Sequence, residues 1–108
     1  MDFNDFQIQA HKTAQYPSRL QIIYPAIGIS SESGELLEKL KKQLRKAAPL
    51  EDPEFQADLK KEMGDVLWYL SELATCLDTP LSEIARLNLE KLKSRADRGV
   101  IMGEGDNR

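Results

Sequence analysis

The chain has 108 residues, 41% of them hydrophobic and 31% charged, and a formal net charge of -3. This describes one small domain with a single core and without the basic field of a nucleic-acid binder. One cysteine and one histidine exclude an internal disulfide and any zinc site of several Cys or His ligands, so a bound metal must be held by oxygen and a reducing cytoplasm fits best. No apolar signal segment follows Met1 and no run reaches membrane-spanning length, which points away from membranes.

Apolar periodicity predicts four helices and no strand. The first covers about Asp2 to Gln15, anchored by Phe3, Phe6, Ala10 and Ala14, with Gln7, His11 and Gln15 as a polar face. Pro17 ends it by disfavouring helical geometry at Tyr16. Residues 19–24 read as loop or a short turn. The second helix runs from about Pro25 to Ala47, with Ile29, Leu36, Leu37, Leu40 and Leu44 on its apolar arc. Asp52-Pro53-Glu54 reads as an N-cap, a first-turn proline and a first-turn acid. The third helix then extends to about Leu77, with Met63, Val66, Leu67, Leu70, Leu73, Ala74 and Leu77 on one arc. Asp78-Thr79-Pro80 repeats the punctuation, and the fourth helix runs from Pro80 to about Arg98 before Gly99 stops it. Leu81, Ala85, Leu89, Leu92 and Ala96 form its buried side. The tail, 99–108, carries three glycines and reads as loop, or as disordered when free. The expected architecture is an all-α, four-helix bundle-type domain over 1–108. Its helices pack antiparallel, and its wide apolar faces favour self-association.

One phrase occurs twice: Glu32-Ser33-Gly34-Glu35-Leu36-Leu37 and Glu62-Met63-Gly64-Asp65-Val66-Leu67. Acids three apart share a helix face, where like charges cost a few tenths of a kcal/mol, and a mid-helix glycine costs about 1 kcal/mol more. Both acid pairs fall on matching borders of the apolar arcs, in a stripe that continues through Tyr69 and Glu72 on the third helix. Packed together, the two helices bring four carboxylates to one place, where a hard divalent cation relieves their repulsion. Gly34 and Gly64 are expected to let a backbone or ligand approach beside the acids.

The fourth helix presents Asn88, Lys91, Arg95 and Arg98 at i, i+3, i+7 and i+10, a row suited to several phosphates. Alone, it is equally the solvated basic face of a helix C-terminal half. Beside a carboxylate cluster it suggests a metal-bound nucleoside triphosphate. Lys39, Lys41, Lys42, Arg45 and Lys46 read as solvated surface, Trp68 as core or interface, and Tyr69 as either that or a base contact.

Taken in order, these residues resemble the MazG-like all-α nucleoside triphosphate pyrophosphohydrolases. Their Glu-x-x-Glu and Glu-x-x-Asp signature matches Glu32/Glu35 and Glu62/Asp65, and Glu62 to Leu70 is similar to their second motif. Asn88-x-x-Lys91-Leu92-x-x-Arg95 resembles their third segment, and Gly103-x-Gly105-Asp106-Asn107-Arg108 the tail of compact members. The resemblance spans roughly Phe3 to Arg108. It implies a homodimer or dimer of dimers that hydrolyses an NTP or dNTP to the monophosphate and pyrophosphate. Mg²⁺ or Mn²⁺ would be held by Glu32, Glu35, Glu62 and Asp65, with Glu35 and Glu62 catalytic and either Glu35 or Glu38 the general base. Lys91, Arg95 and Arg98 would face phosphates, and Asn88 and Tyr69 sugar or base. Ser31 and Ser33 depart from the usual pattern around Glu32 and leave one metal or two open. A phosphoribosyl-nucleotide substrate and a non-catalytic helical adaptor are the alternatives. A di-iron bundle is a poor fit, since His11 follows no Glu-x-x pattern.

Overall fold

In the computed structural model, which describes residues 1–108, helix α1 spans Phe3–His11, α2 Ile23–Arg45, α3 Pro53–Cys76 and α4 Leu81–Asp97, with one 3₁₀ turn at Ser18–Leu20. The all-α expectation of four helices holds, and the boundaries move for local reasons. A capping box between Asp2 and Asp5 opens α1. This helix closes a turn earlier than its apolar pattern suggested, because i+3 bonds from Thr13 and Ala14 and the Thr13 hydroxyl on the Ala10 carbonyl tighten its end. Helix α2 begins before Pro25, which sits in the first turn where its missing N–H costs nothing. Asp52 caps α3 through the Glu54 amide, with Pro53 behind it as the sequence indicated.

Helices α2, α3 and α4 each end in the same Schellman arrangement, a left-handed residue followed by a bond back across the last turn. The left-handed residues are Ala47, Asp78 and Gly99. The returning amides are Ala48 to the Gln43 carbonyl, Thr79 to Ala74 and Val100 to Arg95. Only the third position holds glycine, so only there did the sequence announce the left-handed residue itself.

The seven-residue connector 46–52 folds α3 back antiparallel on α2. Gly28 therefore lies against Tyr69 while Lys39, three turns later, pairs with Glu62. Helix α1 packs across α3 and α4 and supplies the cap that α4 lacks. The Gln7 amide oxygen accepts from Leu81 N at 2.8 Å, its nitrogen donates to the Thr79 carbonyl, and Asn4 accepts from Ser82 N.

The result is open. Its radius of gyration is 16.8 Å, against about 13 Å for a compact chain of this length. Its accessible surface is 7896 Å², against roughly 6,100 Å² for a folded monomer of this mass. Several arc residues expected in a core stand exposed, among them Leu37, Leu44, Met63, Leu70, Leu77, Leu89 and Leu92. The side of α3 that is covered is instead the polar one, with Glu62, Ser71 and Glu72 buried beside Phe55 and Ala74. No helix is long and apolar enough to cross a membrane.

The tail is ordered against α4. Arg108 donates to the carbonyls of Val100, Ile101 and Gly105, and Arg98 to that of Arg108. Asp106 clasps Lys91 at 3.2 Å and Arg95 at 3.3 Å, and its carbonyl takes a second Arg95 bond. The Lys91 bond, then the Arg95 bond, holds the Asp106 carboxyl below its ordinary 3.8. A lowered folded pKa gives stabilisation that is complete above the unfolded value and lost as pH falls through the lower folded one. Protection factors of the amides in 99–108, corrected for the pH dependence of intrinsic exchange, should therefore hold from neutral pH down to 3.8 and fall below it. Release with a midpoint above that value would contradict the clasp.

Candidate active site

One face of α2 carries Tyr24, Gly28, Glu32, Glu35 and Lys39, spaced by three or four, and the facing stripe of α3 carries Glu62, Tyr69, Glu72 and Cys76. The site is the upper part of this contact. Carboxylate oxygens of Glu32, Glu35 and Glu62 lie within 4.8 Å of one another. Asp65 stands beside that trio, on the wall of a cleft of about 350 Å³ that it shares with Glu32, Trp68 and Tyr69. At 4.8 Å, each like-charge pair costs from ~1 kcal/mol with water between to ~3 kcal/mol with protein between. One cation answers the cluster, Lys39, whose ammonium is 3.7 Å from Glu62.

The electrostatics follow from this crowding. Burial, then the charges of Glu35 and Asp65, pushes the Glu32 carboxyl above its ordinary 4.5. Tyr69 is raised as well, by burial first and then by Tyr24, Glu32 and Asp65. Oε2 of Glu32 and Oε2 of Glu62 are buried and accept no hydrogen bond from the protein. Buried anionic oxygens rarely go without a partner. An all-oxygen set with orphaned lone pairs fits Mg²⁺ or Mn²⁺.

A second cleft of about 400 Å³ continues past Trp68 and Tyr69, which border both, and is walled by Thr13, Gln15, Tyr16, Pro17 and Tyr24. Tyr16 and Tyr24 stack at 5.0 Å and 14°, Tyr24 and Tyr69 are 6.2 Å apart, and the Trp68 indole N–H donates to Thr13 Oγ1 at 2.8 Å. The largest groove, about 670 Å³ along Gln7, His11, Thr75 and Asp78, contains none of the clustered carboxylates.

The structure thus gathers Glu32, Glu35, Glu62, Asp65 and Tyr69 and does not gather the basic row. Asn88, Lys91, Arg95 and Arg98 line neither cleft. Arg95 is 5% exposed and committed to the tail, while Asn88 and Arg98 face solvent. Tyr24 and Gly28 carried no expectation, and Lys39, expected to be solvated surface, is half-buried and pairs with Glu62; the spacing of all three to Glu32 and Glu35 places them on the same helix face. No neighbouring backbone within this chain approaches Gly34 or Gly64, where a Cβ meets nothing within 4 Å, whereas at Gly28 it would lie 2.2 Å from the Tyr69 ring.

A family model for the MazG nucleotide pyrophosphohydrolase domain matches residues 26–100. The chain belongs to the MazG nucleotide pyrophosphohydrolase family. It is also 44% identical, over the full length of both chains, to the Gene 37 protein of Mycobacterium phage L5. No solved structure matches it. The MazG match covers both acid pairs, the α2–α3 contact and the basic row, but not α1 or the 12–17 loop that walls the second cleft.

Gly28→Ala should destabilise the protein by about 1 to 3 kcal/mol through overpacking against Tyr69. Gly64→Ala should stabilise it by up to about 1 kcal/mol through helix propensity. Urea midpoints at constant slope check both; a neutral Gly28→Ala would refute the close packing.

Proposed function

We propose that this chain hydrolyses nucleoside triphosphates, ribo or deoxy, to the monophosphate and pyrophosphate with the help of a divalent cation. The observation that carries the reading is the pair of buried, partnerless oxygens on Glu32 and Glu62, set beside Glu35 and opening toward an aromatic cleft. Membership in the MazG family supports the hydrolase class and a nucleotide substrate. Glu32, Glu35, Glu62 and Asp65 are the proposed ligands of Mg²⁺ or Mn²⁺, which when bound would supply positive charge to phosphate oxygens and acidify a water molecule.

The protein groups then divide the remaining work. Glu35 is the better general base, being exposed at the rim of the cluster. Glu38 is held by Lys41 at 2.8 Å and by Lys42, and the Lys41 bond keeps its carboxyl below the ordinary range, which weakens it as a proton acceptor. Glu62 is held toward the cluster by Lys39. The cleft of Tyr16, Tyr24, Trp68 and Tyr69 offers flat apolar walls to a base. Lys91, Arg95 and Arg98 would offset phosphate charge, Lys91 and Arg95 by exchanging Asp106 for a phosphate oxygen, with Asn88 on the sugar side. The free Cys76 fits a reducing cytoplasm.

Glu62→Gln should lower pyrophosphate release by at least about 10²-fold while far-ultraviolet circular dichroism stays unchanged. Saturating Mg²⁺ should raise the melting temperature of the wild type, by about 2.7 kcal/mol of stabilisation at a hundredfold excess over Kd, and should not do so for this variant. The assay panel covers all NTPs and dNTPs plus a phosphoribosyl-nucleotide. Release from none of them by folded protein would sink the enzyme reading and leave the helical adaptor; release from the last alone would move the substrate.

We further infer a homodimer or dimer of dimers. Met63 and Leu70 on α3 and Leu77 at its C-cap, seven residues apart, are 58%, 41% and 52% exposed, and a stripe at that period seals against another helix. Sedimentation should give a dimer or tetramer for the wild type and dissociation for Leu70→Glu. A wild type that stays monomeric at micromolar concentration would overturn the inference.

A further inference from the structure

The α3 stripe has an acid the proposed reaction does not use. Glu72 continues the series of Glu62, Asp65 and Tyr69, yet it is 0% exposed in a chain that buries only 11 residues. Burying a carboxylate costs several kcal/mol unless it is fully paired. A leucine at this position would pack without that penalty. Glu72 has two side-chain partners, and both come from a single place. His11 Nδ1 contacts its two oxygens at 3.1 and 3.3 Å, and the Tyr16 hydroxyl donates to Oε1 at 3.0 Å. Since Glu72 only accepts, the Tyr16 proton points to it, and the Cys76 thiol, 3.2 Å away, donates in turn to the Tyr16 oxygen. Burial first, then these contacts, raises the Tyr16 pKa, which keeps the hydroxyl a donor.

His11 and Tyr16 bracket the loop between α1 and the 3₁₀ turn, and Thr13 inside it accepts the Trp68 N–H. This loop contributes Thr13, Gln15, Tyr16 and Pro17 to the second cleft, whose opposite wall, Trp68 and Tyr69, also borders the carboxylates. Glu72 thus fixes where the Tyr16–Tyr24 stack stands relative to the phosphate end.

We propose that Glu72 is a positioning residue for base recognition: through His11 and Tyr16 it holds the loop wall of the aromatic cleft at the distance that admits one nucleobase, with the Gln15 amide free to read its edge. The proposal rests on the nucleotide reading above, and its test separates the two. Trp68 is the sole tryptophan and lies in the cleft wall, so its fluorescence reports base entry without any turnover.

With Mg²⁺ present, nucleoside monophosphates of each base are titrated against Trp68 emission, and inorganic tripolyphosphate is titrated by calorimetry. Tyr16→Phe and Glu72→Leu should each weaken the best monophosphate by about tenfold, as expected for a lost hydrogen bond to a charged group, and leave tripolyphosphate affinity unchanged. Glu72→Gln, which keeps one acceptor oxygen, should recover part of that loss. Tyr16→Phe retains the ring and serves if Glu72→Leu does not fold. Monophosphate and tripolyphosphate weakening together, or neither weakening, would show a structural role only and overturn the proposal. A wild type whose Trp68 answers no base overturns it too, even if triphosphates are hydrolysed. A wild type whose Trp68 responds but which releases no pyrophosphate from any triphosphate removes the enzymatic reading and leaves base positioning standing.

Discussion

Carboxylates at a helix–helix contact are the constraint on which the rest of this structure depends. Helices α2 and α3 meet along a face that carries Glu32, Glu35 and Glu62 instead of a leucine seam, and two of the oxygens there are buried without a partner. Lys39 balances one charge of three. A contact of this kind is tolerable only if something else holds the hairpin or if a cation joins the acids. Both conditions shape the chain. The Gly28–Tyr69 packing brings the backbones close at one end, and Gln43, bonded to the Pro49 carbonyl at 2.8 Å, braces the connector at the other.

The same choice explains the open shape. Because the polar stripe of α3 takes up much of the contact with its neighbours, only part of its apolar arc is covered, and Met63, Leu70 and Leu77 remain exposed. A short chain cannot bury both sides of its longest helix with three others. The proposed self-association and the proposed metal site are thus two consequences of one orientation of α3. Glu62 and Glu72 face inward, so the exposed Met63, Leu70 and Leu77 are left to find a partner elsewhere.

Between these lies a graded arrangement along the hairpin. Anionic groups sit toward the connector, aromatic rings follow at Tyr69, Trp68, Tyr24 and Tyr16, and the His11–Glu72–Tyr16–Cys76 network closes the far end. A nucleotide has the same order of chemistry, charged phosphates at one end and a flat base at the other. The tail adds a third polar element, with Asp106 holding Lys91 and Arg95 in the manner of a phosphate oxygen.

Much of this was legible in the order of residues. Helix number, the Asp52-Pro53 start of α3, the stop at Gly99 and the shared face of the two acid pairs all follow from interactions within one or two turns, which periodicity and capping chemistry report directly. What was not legible depends on residues far apart in the chain. Gln7 caps a helix more than seventy residues away. Glu72 looked like rim and is the most buried acid, because His11 and Tyr16 reach it from another element. Gly28, not Gly34 or Gly64, is the glycine with a neighbour, since space beside a Cα belongs to the opposing helix. Local sequence placed charges on faces; which face turned inward was set by packing, since burial is a property of two surfaces and the chain's letters describe one at a time.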